Sequence, residues 1–151
     1  MFAVQLARIL GGHVTAASRS ADAGLVRDLG EDRFFSGRVG QPGPAAGGFD
    51  VVIDTVGGVV LDGSYGLLRE GGRLVTLGGP PDQGLAGRYK VRAMFLVVEP
   101  DASELARLAE MAGAGQLQAV ISQAFPLAQG RQAFESGAGP PPPGKTVLVV
   151  R

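Results

Sequence analysis

The chain has no cysteine, which excludes a disulfide framework and any thiolate metal site. It has one histidine, His13, so an ordinary zinc centre has no ligand set. An excess of charge of either sign is also absent. The 14 basic and 14 acidic residues cancel, no basic face is implied, and nucleic acid and acidic membranes are poor partners. No apolar run approaches the ~18 residues that a bilayer span needs. The N-terminus has no basic stretch followed by an apolar core, so no signal peptide is read and the cytoplasm is the expected compartment.

What is present suits a globular domain. With 151 residues, 45% hydrophobic and 19% charged, the chain is long enough to bury one core. The 25 glycines and 10 prolines fit a fold with many tight strand-to-helix turns.

The pattern along the chain alternates. Phe2, Leu6, Ile9 and Leu10 recur at helical spacing and Gly11–Gly12 ends that helix. His13 to Ser18 reads as a short strand, Ala21 to Leu29 as a helix and Arg33 to Phe35 as a brief strand. Gln41 to Gly48 is a loop by composition. Phe49 to Val56 (FDVVIDTV) is the strongest strand. Its continuous apolar character is that of a parallel strand covered on both faces. A helix near Leu61 to Arg69 follows, then strands at Arg73 to Leu77 and Met94 to Val98.

Beyond Pro100 the character changes. Asp101 and Glu104 make a capping-box-like start. Leu105, Leu108 and Ala112 then form the expected buried stripe of a helix. Ala119 to Phe125 reads as extended, and Ala128 to Glu135 as a helix with Ala133 and Phe134 turned inward. Ser136 to Gly144 is a Gly/Pro linker before a terminal strand, Thr146 to Val150. Strands alternating with short helices indicate an α/β fold with a mainly parallel sheet.

Six segments in order carry a family resemblance: FAVQLARILGGHVTAASRS, FDVVIDTVGG, LLREGGRLVTLGG, ELARLAEMAGAGQL, FPLAQGRQAFE and GKTVLVV. Over nearly its whole length the chain resembles the C-terminal half of the medium-chain dehydrogenase/reductase superfamily. Its branch looks like the zinc-independent, NADPH-dependent quinone oxidoreductases. The resemblance implies an incomplete Rossmann-type, doubly wound sheet with a C-terminal helix–strand extension. Residues 1–98 would be most of the dinucleotide-binding domain, and residues 99–151 the segment that returns to the substrate domain. The first strand, the glycine-rich loop and the substrate domain would be missing, and Met1 stands about where the phosphate loop would end. In a sheet of order 3-2-1-4-5-6 the missing strand is the central one. Its neighbours would then need direct pairing, a strand from a second copy, or a complementing N-terminal chain to satisfy their backbone groups.

The same resemblance implies NADP(H) as cofactor and hydride transfer to a quinone or an α,β-unsaturated carbonyl in the intact form. Ser18 and Arg19 lie where the adenosine ribose is expected, and a hydroxyl with a guanidinium suits a 2′-phosphate. Thr55, Val56 and Gly57 end one strand and Gly78 and Gly79 another, where small residues let a ligand reach the backbone. Phe95 and Val97 lie on the strand that would run near the nicotinamide. Each has a plainer reading as a polar strand end, a turn or core. No residue is assigned as catalytic. The alternative is a non-catalytic remnant or interaction subunit completed by another chain.

Other motifs are set aside on physical grounds. Gly139 to Thr146 (GPPPPGKT) spells a P-loop, but four prolines supply no backbone N–H groups to a phosphate and a strand follows where a helix is required. His13 opens a strand at the end away from the expected ligand cleft. Asp50 reads as a solvated strand start, and Asp54 has no evident proton-transfer partner. A methyltransferase would carry an acid where Ser18 and Arg19 stand. The Tyr-x-x-x-Lys pair of short-chain dehydrogenases is absent, since Tyr65 is followed by Arg69 and Tyr89 by Ala93.

Overall fold

The computed structural model describes residues 1–18, 23–36, 47–138 and 143–150. They form two compact units: residues 1–36 with 101–151, and residues 37–100.

The first unit begins with α1 (Phe2–Ile9), β1 (Thr15–Ser18), α2 (Ala23–Asp28) and β2 (Arg33–Ser36). β1 and β2 pair in parallel, from Thr15 opposite Arg33 to Ser18 opposite Ser36. Asp32, just before β2, fixes this register. Its carboxylate accepts from Val14 N at 2.7 Å and lies 3.2 Å from the Arg8 guanidinium and 3.1 Å from the His13 ring. The Val14 hydrogen bond, aided by Arg8 and His13, holds the Asp32 carboxyl below the usual carboxylate range. His13 therefore takes part in the entry to the strand pair.

The same unit continues with α5 (Ala102–Gly113), β6 (Ile121–Pro126), α6 (Gly130–Glu135) and β7 (Lys145–Val149), where β6 and β7 pair in parallel. Asp101 caps α5 by accepting from Glu104 N at 2.8 Å. Gln5 on α1 ties the two parts of the unit together through Gln118.

The second unit holds β3 (Phe49–Asp54), α3 (Val59–Ser64), β4 (Leu68–Thr76), α4 (Gln83–Tyr89) and β5 (Arg92–Phe95). β3, β4 and β5 make a three-stranded parallel sheet in that order. Its core is Leu61, Tyr65, Leu68, Leu74, Ala86 and Val91, with Val52 and Ala93 against it. Tyr65 is fully buried, stacks on Tyr89 and donates its hydroxyl to Asp82 O at 3.1 Å.

Several expectations are corrected. The helix near Leu61 to Arg69 ends at Ser64, passes through a 3-10 turn at Tyr65–Leu67, and gives way to strand at Leu68. Leu61, Tyr65 and Leu68 keep helical spacing and all reach the core, so their period does not reveal the change of backbone. The extra residues Arg69 to Gly72 loop out between the pairs Phe49–Leu68 and Val51–Arg73, helped by Gly71 at φ 78°. α4 was not expected, although Asp82 caps it by accepting from Leu85 N at 2.9 Å. The strand expected at Met94 to Val98 lies at Arg92–Phe95.

β3 is covered on one face only. Val52 and Asp54 face inward, whereas Val51 is 41% and Ile53 47% exposed. The stripe on α5 is exposed too, since that helix has no buried residue. Leu108 and Ala112 instead line a shallow apolar hollow with Phe2, Leu117 and Ala119. On α6 only Ala133 turns inward, and Phe134 is 88% exposed. Periodicity reports which face a helix can bury, but not whether anything covers it.

The parallel α/β architecture is the one expected, divided into separate sheets β1–β2, β3–β4–β5 and β6–β7. Among the described residues neither β1 nor β3 has a strand on its second edge.

Candidate cofactor-binding site

The site is built where β3, β4 and β5 end together. Asp54, Thr76 and Phe95 stand side by side in register, each the last residue of its strand. The ladder continues one step further, with Leu77 N donating to Asp54 O at 2.8 Å and Leu96 N to Thr76 O at 2.9 Å. The turns beyond the carboxyl edge are thus held in fixed relation to the strands. Crevices at such edges are where parallel sheets bind ligands.

Two buried side chains organise the edge. Asp54 is 3% exposed and Thr76 is 0% exposed. The Asp54 Oδ1 accepts from Val56 N at 3.2 Å and Gly57 N at 3.2 Å. Its Oδ2 accepts from Gly57 N at 3.0 Å and from the Thr76 hydroxyl at 2.9 Å. Thr76 Oγ1 in turn accepts from Gly78 N at 3.1 Å. One buried carboxylate therefore serves three donors, the arrangement that makes a buried charge tolerable. Asp54 thus ties the end of β3 to the turn that follows it and to β4. Thr76 was not singled out in the sequence, but both strands finish on a polar residue followed within three places by glycine.

The glycines divide by role. Gly57, at φ 80°, and Gly78 pack backbone to backbone. A Cβ on Gly57 would stand 2.8 Å from Gly78 O, and one on Gly78 2.5 Å from Gly57 N. Gly58, at φ 56°, and Gly79, at φ 152°, have open space where a Cβ would project. The first pair closes the floor and the second leaves backbone uncovered above it. Bare backbone of this kind fits the close approach of a dinucleotide.

The structure brings Thr55, Val56, Gly57, Gly78, Gly79 and Phe95 to this one edge. Thr55, Val56, Gly78 and Phe95 are exposed, Gly57 is buried and Gly79 half-buried. Val97 lies two residues past β5 and is 66% exposed. Ser18 ends β1 in the other unit, paired in register with Ser36. Arg19 lies outside the described residues. Asp50 forms an exposed ion pair with Arg69 at 2.6 Å.

A family model described as zinc-binding dehydrogenase matches residues 29–148. The chain belongs to that family. Its fold is that of the medium-chain dehydrogenase/reductase superfamily. The mitochondrial NAD(P)H oxidoreductase RTN4IP1 of Danio rerio is 29% identical over 99% of this chain and 46% of its own length. A thermostable alcohol dehydrogenase from Pyrobaculum aerophilum, solved with cobalt and zinc, superposes with a TM-score of 0.80 at 29% identity. The match covers 98% of this chain and 46% of that one. A quinone oxidoreductase from Coxiella burnetii shares the fold with a TM-score of 0.78 at 24% identity, over 99% of this chain and 49% of that one. The chain thus spans about half the length of these relatives.

The described residues hold no group of three or more His, Cys, Asp or Glu placed for a metal, and the whole sequence offers one histidine and no cysteine. No helix among the described residues is long and apolar enough to cross a membrane.

Proposed function

We propose that this chain is the cofactor-binding part of an NADPH-dependent oxidoreductase of the zinc-independent quinone oxidoreductase type, working in the cytoplasm. Residues 1–98 are read as the larger part of a dinucleotide-binding domain, and residues 99–151 as a segment that joins a substrate domain. The observation that carries the reading is the shared ending of β3, β4 and β5 on Asp54, Thr76 and Phe95, with two glycine turns beyond it.

In this reading Thr55, Val56 and Gly57, with Gly78 and Gly79, hold the cofactor through exposed backbone, and Phe95 and Val97 shield one side of it from water. Ser18 and Arg19 take the adenosine 2′-phosphate, the charge-assisted contact that separates NADPH from NADH. The bound nicotinamide supplies the hydride that reduces a quinone or an α,β-unsaturated carbonyl. The chain itself binds and orients, and no proton-transfer role is given to any of its residues.

A second reading is a non-catalytic subunit completed by another chain or a second copy. It is favoured by the exposure of Val51 and Ile53 on β3, which among the described residues has no strand on its second edge. Unpaired strand edges beside apolar surface invite an added strand.

Calorimetric titration of the purified chain with NADPH, NADH and S-adenosylmethionine tests the first reading. Saturable binding that favours NADPH is expected. A chain that is folded by circular dichroism yet binds none of the three leaves the second reading.

A further inference from the structure

The Asp54 carboxylate and the Thr76 hydroxyl have no part in the contacts proposed for the cofactor, yet they are the most deeply buried polar groups of the carboxyl edge. We infer that they are positioning residues: a two-member relay that locks the β3 turn and the β4 turn to one another and so sets the spacing of the backbone that a ligand meets.

The connectivity makes the case. From Asp54 the hydrogen bonds run to Val56 N and Gly57 N in the first turn, and through the Thr76 hydroxyl to Gly78 N in the second. Neither turn reaches the other by a side chain of its own. Their backbones nevertheless lie close enough that no Cβ fits between Gly57 and Gly78. The carboxylate at the end of β3 serves both turns, the first directly and the second through the Thr76 hydroxyl. Gly57 O also accepts from Val60 N at 3.3 Å, so the entry to α3 depends on the same anchor.

The relay has a specific chemical weakness. Gly57 N–H points between both carboxylate oxygens, at 3.2 and 3.0 Å. Asn at this position keeps the shape but turns one oxygen into an NH2 group. In one orientation Val56 N–H faces that NH2 and loses its acceptor, in the other the Thr76 hydroxyl meets it, and in both Gly57 N–H keeps only one of its two oxygens. Asp54→Asn therefore weakens the lock with almost no change in volume. Thr76→Val is the complementary isostere. It leaves Gly78 N without an acceptor and Oδ2 without its hydroxyl donor. Thr76→Ser keeps the hydroxyl and restores the relay.

The inference rests in part on the cofactor reading above, and its test separates the two. Amide hydrogen exchange followed by NMR on the full chain is the first arm. Asp54→Asn is expected to speed exchange at Val56 and Gly57 by about tenfold, the loss of charge assistance in their hydrogen bonds, and at Gly78 less, through the disturbed Thr76 hydroxyl. Leu74 and Tyr65 in the core should keep their protection. Thr76→Val should give the same pattern at Gly78 and Gly57, and Thr76→Ser should return to the parent rates. NADPH titration is the second arm, with affinity expected to fall about tenfold in Asp54→Asn and Thr76→Val and to recover in Thr76→Ser.

Unchanged turn exchange in these variants, or a uniform rise across the whole unit, overturns the relay whatever the cofactor does. Loosened turns with unchanged NADPH affinity overturn its role in positioning the ligand. If the parent chain shows the exchange pattern but no NADPH binding, the cofactor reading fails and the lock between the turns stands. Should Asp54→Asn not fold, the Thr76→Val and Thr76→Ser pair decides alone.

Discussion

The side-chain amide of Gln5 and the main chain of Gln118 pair like two peptide groups. Gln5 Nε2 donates to Gln118 O at 2.9 Å and Gln118 N donates to Gln5 Oε1 at 2.8 Å. Gln5 is 6% exposed, so α1 turns a polar residue into its own core to hold the stretch leading into β6. Gln5→Met keeps the length and removes both bonds, leaving two backbone groups without partners. A loss of about 2 kcal/mol is expected in urea denaturation. Gln5→Glu retains only the acceptor and should fall between. A Gln5→Met midpoint equal to that of the parent would show that the pair contributes nothing.

Gly78 and Gly87 predict opposite outcomes for the same substitution. Gly78→Ala places a methyl 2.5 Å from Gly57 N and 2.6 Å from Gly57 Cα. Both are backbone atoms that cannot step aside, so a destabilisation of about 1–3 kcal/mol is expected. Gly87 lies inside α4 with nothing within 4 Å of a Cβ. Gly87→Ala should stabilise by about 0.5–1 kcal/mol, because alanine loses less backbone freedom in a helix. Paired thermal melts of the two variants check this in one experiment.

Acid should act on the first unit through Asp32. The Val14 N–H bond, with Arg8 and His13 beside it, lowers its pKa in the folded chain. The unfolded chain therefore binds the proton more readily. This contribution to stability is complete above the unfolded carboxylate range, near pH 4, and disappears as pH falls through the lower folded value. Asp32→Asn should melt lower at neutral pH and show a flatter fall in melting temperature between about pH 4 and pH 2. A variant with the same acid slope as the parent would remove Asp32 from the account.

The sequence made the alternation of strand and helix readable because the punctuation is strong. Gly11–Gly12 ends α1, and Asp101 caps α5 where the capping pattern places it. β3 announces itself as strand by the apolar run Val51 to Ile53 between two aspartates. The reading failed where one pattern serves two backbones, as at Leu61, Tyr65 and Leu68, and where apolar residues have nothing over them, as at Leu105, Phe134 and Ile53. At the candidate site the glycines were visible from spacing, but the relay beneath them was not. Asp54 and Thr76 lie 22 residues apart, and only the parallel register of β3 and β4 brings them together. Linear patterns carry little trace of such a cross-strand pair.

The pairing of Gln5 with Gln118 also sets a timetable for synthesis. The two residues are 113 positions apart. At about 5–20 residues per second, roughly 6 to 23 seconds pass between their emergence on a ribosome. Residues 37–100, a continuous unit with its own core, are finished within that interval and can fold while α1 still waits for its partner. The interrupted unit closes last, so a nascent chain carries an unmatched buried-type glutamine on α1 until Gln118 has been made.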